Sequence, residues 1–262
     1  FHKIDISKYK EIKKIFNKYK IDVIYNLAAQ AGVRYSLKNP KLYNDYNING
    51  FFNILELSRE KEIKRIFYAS SSSIYGDSKK FPLTENLSLN PKNIYALSKK
   101  INEELAQLYS GLYGIQLTGL RFFTVYGEWG RPDMFIMKYI VASLQKKIFY
   151  LNNFGNHYRD FTYIKDINKI LYLLLKAKQK KKHEVLNICS SSPVKITSVI
   201  SYLNSLMTKP KLKKIPLQTA DVIKTHGSNT KLKKIISFKK FTNINSGLLN
   251  VFNWAKKNKV KF

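Results

Sequence analysis

Phe67-Tyr68-Ala69-Ser70-Ser71-Ser72-Ser73-Ile74-Tyr75-Gly76, followed downstream by Pro91-Lys92-Asn93-Ile94-Tyr95-Ala96-Leu97-Ser98-Lys99, decides the fold. The first segment reads as an apolar strand that ends in a serine cluster. The second opens a helix begun by Pro91. Tyr95 and Lys99, four residues apart, share one face of that helix. An ammonium held beside a phenol lowers the phenol's pKa, and a serine hydroxyl can share the proton. Together they make a tyrosinate general base for a substrate alcohol. The same Tyr-x-x-x-Lys spacing occurs at Tyr9/Lys13, Tyr75/Lys79 and Tyr172/Lys176, so spacing alone selects nothing. The copy at Tyr95 is singled out by its upstream strand ending in serine and its Pro-started helix.

Strands and helices alternate around these segments. Residues 1–6 read as the tail of a strand, and residues 7–20 as an amphipathic helix with Ser7 as its N-cap. Residues 22–27 form a buried-type strand that runs into Ala28-Ala29-Gln30-Ala31-Gly32-Val33-Arg34, whose small side chains let another backbone or a cofactor come close. A helix over about 40–62, the strand 65–70, a helix over about 92–112 and the strand 115–123 follow. This alternation predicts a doubly wound parallel α/β sheet with ligands at the C-terminal ends of its strands. Beyond it lie shorter mixed pieces: helices at 134–146, 165–178, 196–206 and 245–258, and a strand at 184–188. The expected division is a nucleotide-binding domain over 1–133 and a smaller α/β domain over 134–262, with some chain returning to the first.

Hydrophobic residues make up 44% and aromatic residues 14% of the 262 residues, enough for a sizeable core and too much for disorder. No apolar run approaches the length of a membrane span and no signal peptide is evident, so the chain reads as soluble. The single cysteine, Cys189, excludes an internal disulfide and a Cys-based zinc site and suits a reducing cytoplasm. The net charge of +30 raises a nucleic-acid reading. The excess is nearly all lysine scattered along the helices, however, and only six residues are arginine. A solvated lysine-rich surface is the simpler account.

The words NLAAQAGVRYS (26–36), SSSSIYG (70–76), YALSK (95–99), GLRFFTVYGEWGRPDM (119–134) and RDFTYIKDI (159–167) together resemble the extended short-chain dehydrogenase/reductases. Within these the likeness is to the NAD-dependent sugar-nucleotide epimerase/dehydratase group, and most closely to the UDP-glucuronate 4-epimerases. The last ninety or so residues match more loosely, with Ala220-Asp221 standing where the family carries Gly-Asp.

The resemblance implies roles. Tyr95 would take the sugar hydroxyl proton while hydride passes to NAD, Lys99 would bind the nicotinamide ribose, and Ser71 would hydrogen-bond the sugar oxygen. Asp5 and Ile6 would lie at the adenosine end of NAD, and Ala28, Ala29, Asn47 and Ser70 along its path. Thr124 and Arg131 would hold the sugar, with Arg34 and Arg159 near carboxylate or diphosphate charge. A guanidinium suits a carboxylate because it offers a planar fork, and four of the six arginines, Arg121 included, lie within the matching words. A 4-keto sugar with a C5 carboxylate is a β-keto acid prone to lose carbon dioxide, so an epimerase must hold that carboxylate still. A 4,6-dehydratase would need an Asp-Glu pair where Ser72 and Ser73 stand. The family also implies a homodimer formed through the helices near 40–62 and 92–112.

The sequence departs from the family in one respect: none of its eleven glycines forms the G-x-x-G-x-x-G turn that receives the NAD pyrophosphate. The expectation is that a piece of roughly 70 residues, two βα units that include this turn, precedes Phe1, that residues 22–27 are left as a sheet edge, and that the chain as it stands binds NAD poorly. Three functions follow: UDP-glucuronate 4-epimerase; UDP-glucose 4-epimerase or UDP-glucuronate decarboxylase; or a cofactor-free basic protein of the same fold that binds RNA or acts as a scaffold.

Overall fold

The computed structural model describes residues 1–178, 180–218 and 221–260; Ala220 of the Ala220-Asp221 pair lies outside them. The chain forms two compact units, residues 1–122 with 178–187, and residues 123–177 with 188–262.

The first unit is built on strands β1 (Val23–Asn26), β2 (Arg65–Ser71), β3 (Gln116–Phe122) and β7 (His183–Ile188), in the order β1-β2-β3-β7. β2 is parallel to both β1 and β3, as the alternating pattern predicts, because strands joined by a crossing helix run the same way. Among the described residues β1 is an edge of this sheet. Helices α1 (Tyr9–Lys18), α4 (Gly50–Glu60) and α5 (Ile94–Tyr113) flank the sheet. Phe51 and Leu55 of α4 and Ala106 and Tyr109 of α5 close over Ile66, Tyr68 and Leu117. Gly119 is required by this packing: it is the register partner of Tyr68, and a Cβ there would stand 2.7 Å from the Tyr68 hydroxyl.

Three local expectations are corrected. Residues 1–6 form no strand; the chain turns at Asp5, whose Oδ1 accepts from the Ser7 N–H at 2.8 Å. Ser7 therefore does not cap α1, which begins at Tyr9 without a side-chain cap. α5 starts after Asn93 and not at Pro91, because the Asn93 side chain accepts from the Ala96 N–H at 2.9 Å. α5 ends at Gly114, in the left-handed conformation that glycine favours.

The helix expected over 40–62 is one rod with a defect. α3 (Pro40–Tyr43) passes through a π-helical turn at Asn44–Asn49 into α4. Upstream of it lies the short helix α2 (Val33–Lys38).

A buried ion pair ties the first unit together. Arg121 of β3 donates to Glu103 of α5 through Nε at 2.9 Å and Nη2 at 2.7 Å. Its Nη1 reaches the Tyr75 hydroxyl and the Glu85 carbonyl, and Ser70 donates to Glu103 at 2.5 Å. Burial alone would lower the guanidinium's pKa, but the bonds and charge of Glu103 outweigh it and hold it raised. Burial likewise pushes the Tyr75 phenol up to about 12. Arg121 is thus a core residue.

The second unit contains β4 (Thr124–Tyr126), β6 (Tyr158–Tyr163) and β8 (Pro193–Lys195) in one sheet, and β5 (Ile148–Asn152) paired in parallel with β9 (Lys211–Ile215). Helices α6 (Phe135–Leu144), α7 (Ile164–Lys176), α8 (Ile196–Leu206), α9 (Thr230–Ile235) and α10 (Ile244–Lys257) complete it. Its core joins Tyr139 and Ile140 of α6, Leu203 of α8, and Leu248 and Val251 of α10. No helix among the described residues is long and apolar enough to cross a membrane.

Removing one member of a buried ion pair leaves the other charge uncompensated. Glu103→Gln should cost about 3 kcal/mol or more in urea unfolding, whereas the double change Glu103→Leu/Arg121→Met should recover most of it. Equal losses in both would show that packing, not charge, is what the pair supplies.

Candidate functional site

In the first unit the Tyr95–Lys99 face of α5 lies against the end of β2. Lys99 is 3% exposed, and its ammonium donates to the Ala69 carbonyl at 2.8 Å. The same ammonium is 6.0 Å from the centroid of the Tyr95 ring. Tyr95, half-buried in the first turn of α5, meets Tyr43 edge-on at 6.2 Å. Ser71 is two residues beyond Ala69 on the strand; its Oγ accepts from the Ser73 N–H and donates to Ser73 Oγ, both at 3.2 Å. The end of β2 thus meets the Tyr95–Lys99 helix, with Ser71 two residues past the Ala69 carbonyl that Lys99 holds.

Burial pushes the Lys99 ammonium down to about 8, because an ion loses hydration in the interior. It keeps its charge at neutral pH and loses it as pH rises through 8.

The Ser70 hydroxyl is committed to Glu103, one turn of α5 beyond Lys99, to which it donates at 2.5 Å.

Asn47 is 1% exposed in the π turn. Its side chain accepts from the Gln30 N–H at 2.7 Å and donates to the Gln30 carbonyl at 3.1 Å and to Ser98 Oγ at 3.0 Å. It is therefore a tie between the loop after β1 and α5. That loop exposes Leu27, Ala28 and Ala29, a low apolar shelf that Asn47 holds in place. Arg34 is exposed on α2. Ile6 packs against Gly50, whose added Cβ would meet it at 2.8 Å, and its carbonyl accepts from Asn53 at 3.0 Å.

In the second unit, Thr124, Gly127, Gly130, Arg131, Phe135 and Phe161 line a small pocket. The Arg131 guanidinium there is 43% exposed and pairs side-on with Asp133. Next to it Trp129, 85% exposed and at φ 59°, rests on Trp254 with ring centroids 5.2 Å apart. Tyr163 donates to Glu128 at 2.7 Å, with Lys165 at 3.5 Å. Burial alone would raise the Glu128 carboxyl; its own backbone N–H, Tyr163 and Lys165 together hold it below the usual range.

Arg159 donates to the carbonyls of Tyr158 and Ile223 at 2.9 and 3.0 Å. The neighbouring Asp160 is fully buried and accepts from Ser190, the Ser191 N–H and the Gly227 N–H. Neither Asp160 nor Asn47 as a structural tie was legible in the sequence. Both act through partners far along the chain.

The sequence profile of the NAD dependent epimerase/dehydratase family matches residues 1–189. The chain is 40% identical to Protein CapI of Staphylococcus aureus, over 97% of this chain and 81% of that protein. It is 38% identical to the UDP-glucuronate 4-epimerase of Thermodesulfobacterium geofontis, over 98% of this chain and 80% of that protein. The crystal structure of the UDP-glucuronic acid 4-epimerase from Bacillus cereus, in complex with UDP-glucuronic acid and NAD, superimposes with a TM-score of 0.89 at 28% identity, covering 97% of this chain and 81% of that one.

A lysine whose folded pKa lies below its unfolded value penalises folding fully below the folded pKa, and the penalty is relieved as pH climbs toward the unfolded pKa. Subtracting Lys99→Met from the natural protein cancels the other titrations. The stability difference should shift in favour of Lys99 between pH 8 and about 10.4, by about 3 kcal/mol. Paired urea titrations at pH 7 and 10 check it, and a pH-independent difference would contradict the assigned burial cost.

Proposed function

Because the chain belongs to the NAD dependent epimerase/dehydratase family, we propose that it serves the 4-epimerisation of a UDP-sugar, with UDP-glucuronate as substrate and UDP-galacturonate as product. The observation that carries this reading is the buried Lys99 ammonium, fixed on the Ala69 carbonyl beside Tyr95 and two residues before Ser71.

Tyr95 Oη takes the proton from the sugar C4 hydroxyl and later returns it. Lys99 stands where negative charge develops on Tyr95, and its burial keeps water from screening that charge. The Ser71 hydroxyl, at the strand end, orients the sugar oxygen toward Tyr95. Supplied at this site, NAD is the reversible hydride acceptor for the sugar carbon. The exposed Ala28–Ala29 shelf and Lys99 fit the nicotinamide–ribose half of that cofactor, the shelf as flat apolar surface and the ammonium as a hydrogen-bond donor to the ribose hydroxyls. Asn47 acts by holding the shelf, and Asp5 and Ile6 belong to the adenosine half. The pyrophosphate half has no glycine-rich turn in this sequence.

Arg131 and Thr124 hold the C5 carboxylate, which favours an acidic sugar; fixing that group also restrains loss of carbon dioxide from the keto acid. Arg34 and Arg159 are assigned to carboxylate or diphosphate charge. The 38% identity to a UDP-glucuronate 4-epimerase supports the same choice.

A homodimer is part of this proposal. The outer face of α4 and α5 leaves Phe52, Leu108, Leu112 and Tyr113 42%, 55%, 64% and 44% exposed. An apolar stripe of this kind on a soluble-type helix marks an interface.

Epimerisation is followed by NMR with NAD and UDP-glucuronate. Tyr95→Phe should slow it about 10²–10⁴-fold without unfolding the protein. Arg131→Ala should lose activity on UDP-glucuronate while sparing UDP-glucose; equal losses on both would favour the neutral-sugar reading. The double change Leu108→Glu/Leu112→Glu should yield a monomer in sedimentation, and an unchanged assembly would rule out this face.

A further inference from the structure

The Arg131 fork already holds a carboxylate. Arg131 Nε donates to Asp133 Oδ1 at 3.0 Å and Nη2 to Oδ2 at 2.6 Å. This is the side-on, two-bond arrangement in which a guanidinium grips a carboxylate most strongly. The two residues share a tight turn closed by the Met134 N–H on the Arg131 carbonyl at 3.1 Å. Arg131 lines the pocket with Thr124, whereas Asp133 reaches the guanidinium with a side chain 62% exposed.

We propose that Asp133 is a specificity residue: its carboxylate occupies the Arg131 fork in the substrate-free protein and competes with the carboxylate of an acidic sugar for it. The inference rests on the reading of Arg131 as the carboxylate ligand.

Two outcomes are open to an incoming sugar acid, and both oppose it. If it takes the Nε–Nη2 edge, the bond to Asp133 must break first. If it takes the Nη1–Nη2 edge, two carboxylates share one guanidinium and repel across a few ångströms. A neutral hexose carries no group that contests the fork and meets neither cost. Asp133 therefore lowers the affinity for acidic sugars selectively and narrows their advantage over neutral ones. The exposure of both side chains keeps the effect moderate, because solvent screens the pair and rehydrates the released carboxylate. Released Asp133 can turn outward without stranding a buried charge.

The opposite role, in which Asp133 aims Arg131 at the substrate, has the same contacts but the opposite sign. Calorimetric titration separates the two. UDP-glucuronate, UDP-glucose and UDP are each titrated into the natural protein, Asp133→Asn and Arg131→Ala. Asp133→Asn should bind UDP-glucuronate about 3–10-fold tighter, a gain that shrinks with added salt. Its affinity for UDP-glucose and UDP should stay within about two-fold.

Unchanged or weaker binding of UDP-glucuronate by Asp133→Asn would overturn the competitor role. Equal tightening of all three ligands would overturn it too, by pointing to net charge. Arg131→Ala tells that failure from failure of the underlying site. If it weakens UDP-glucuronate selectively, Arg131 stands as the ligand whatever Asp133 does. If it leaves all three affinities unchanged, the reading of Arg131 falls and the inference with it.

Discussion

The first unit depends on a single buried contact, the side-on grip of Arg121 on Glu103. Tyr95, Lys99 and Glu103 follow one another at four-residue intervals and share one face of α5. The pair fixes the rotation of that face relative to β2 and β3, so the same contact that stabilises the sheet also aims Tyr95 and Lys99. Ser70 strengthens the coupling, since it donates to Glu103 from the end of β2. Buried ion pairs return little net stability relative to apolar packing of the same shape. Placement, more than stability, is what this one contributes.

Lysine and arginine divide the work of this basic chain. Among the described residues the lysines mostly face solvent, and Lys99 is the buried exception. Arginine appears where geometry matters: Arg121 in the core fork, Arg131 on Asp133, and Arg159 across two backbone carbonyls. A point charge on a flexible stem could not make the first two contacts in both bonds at once.

The parallel sheet, and the meeting of Tyr95 and Lys99 with the serine strand end, were legible in the sequence, because helix and strand periods are local properties. The same locality explains what was not. Phe1–Ile6 has the composition of a strand, yet composition cannot supply a pairing partner. Pro91 looked like the start of α5, but the side chain of Asn93 satisfies the first-turn N–H and sets the start three residues later, at Ile94. Arg121 sat within a motif that suggested the site, and only its approach to Glu103 places it in the core. Asn47 and Asp160 work through partners that no spacing rule reaches, Gln30 and Ser98 for one and Ser190 and Gly227 for the other. The β5–β9 pairing joins 148–152 to 211–215, too far apart for any local pattern to announce.

The contact between Trp129 and Trp254 has an optical consequence, because these are the two tryptophans of the chain. Excitation at the red edge of protein absorption therefore addresses one spot in the second unit, two residues from Arg131. The largely exposed Trp129 indole is open to collisional quenchers, and its neighbour can exchange excitation with it across the short gap. The natural protein thus carries a built-in fluorophore beside the pocket, and its emission colour and quenching follow that segment without any attached label.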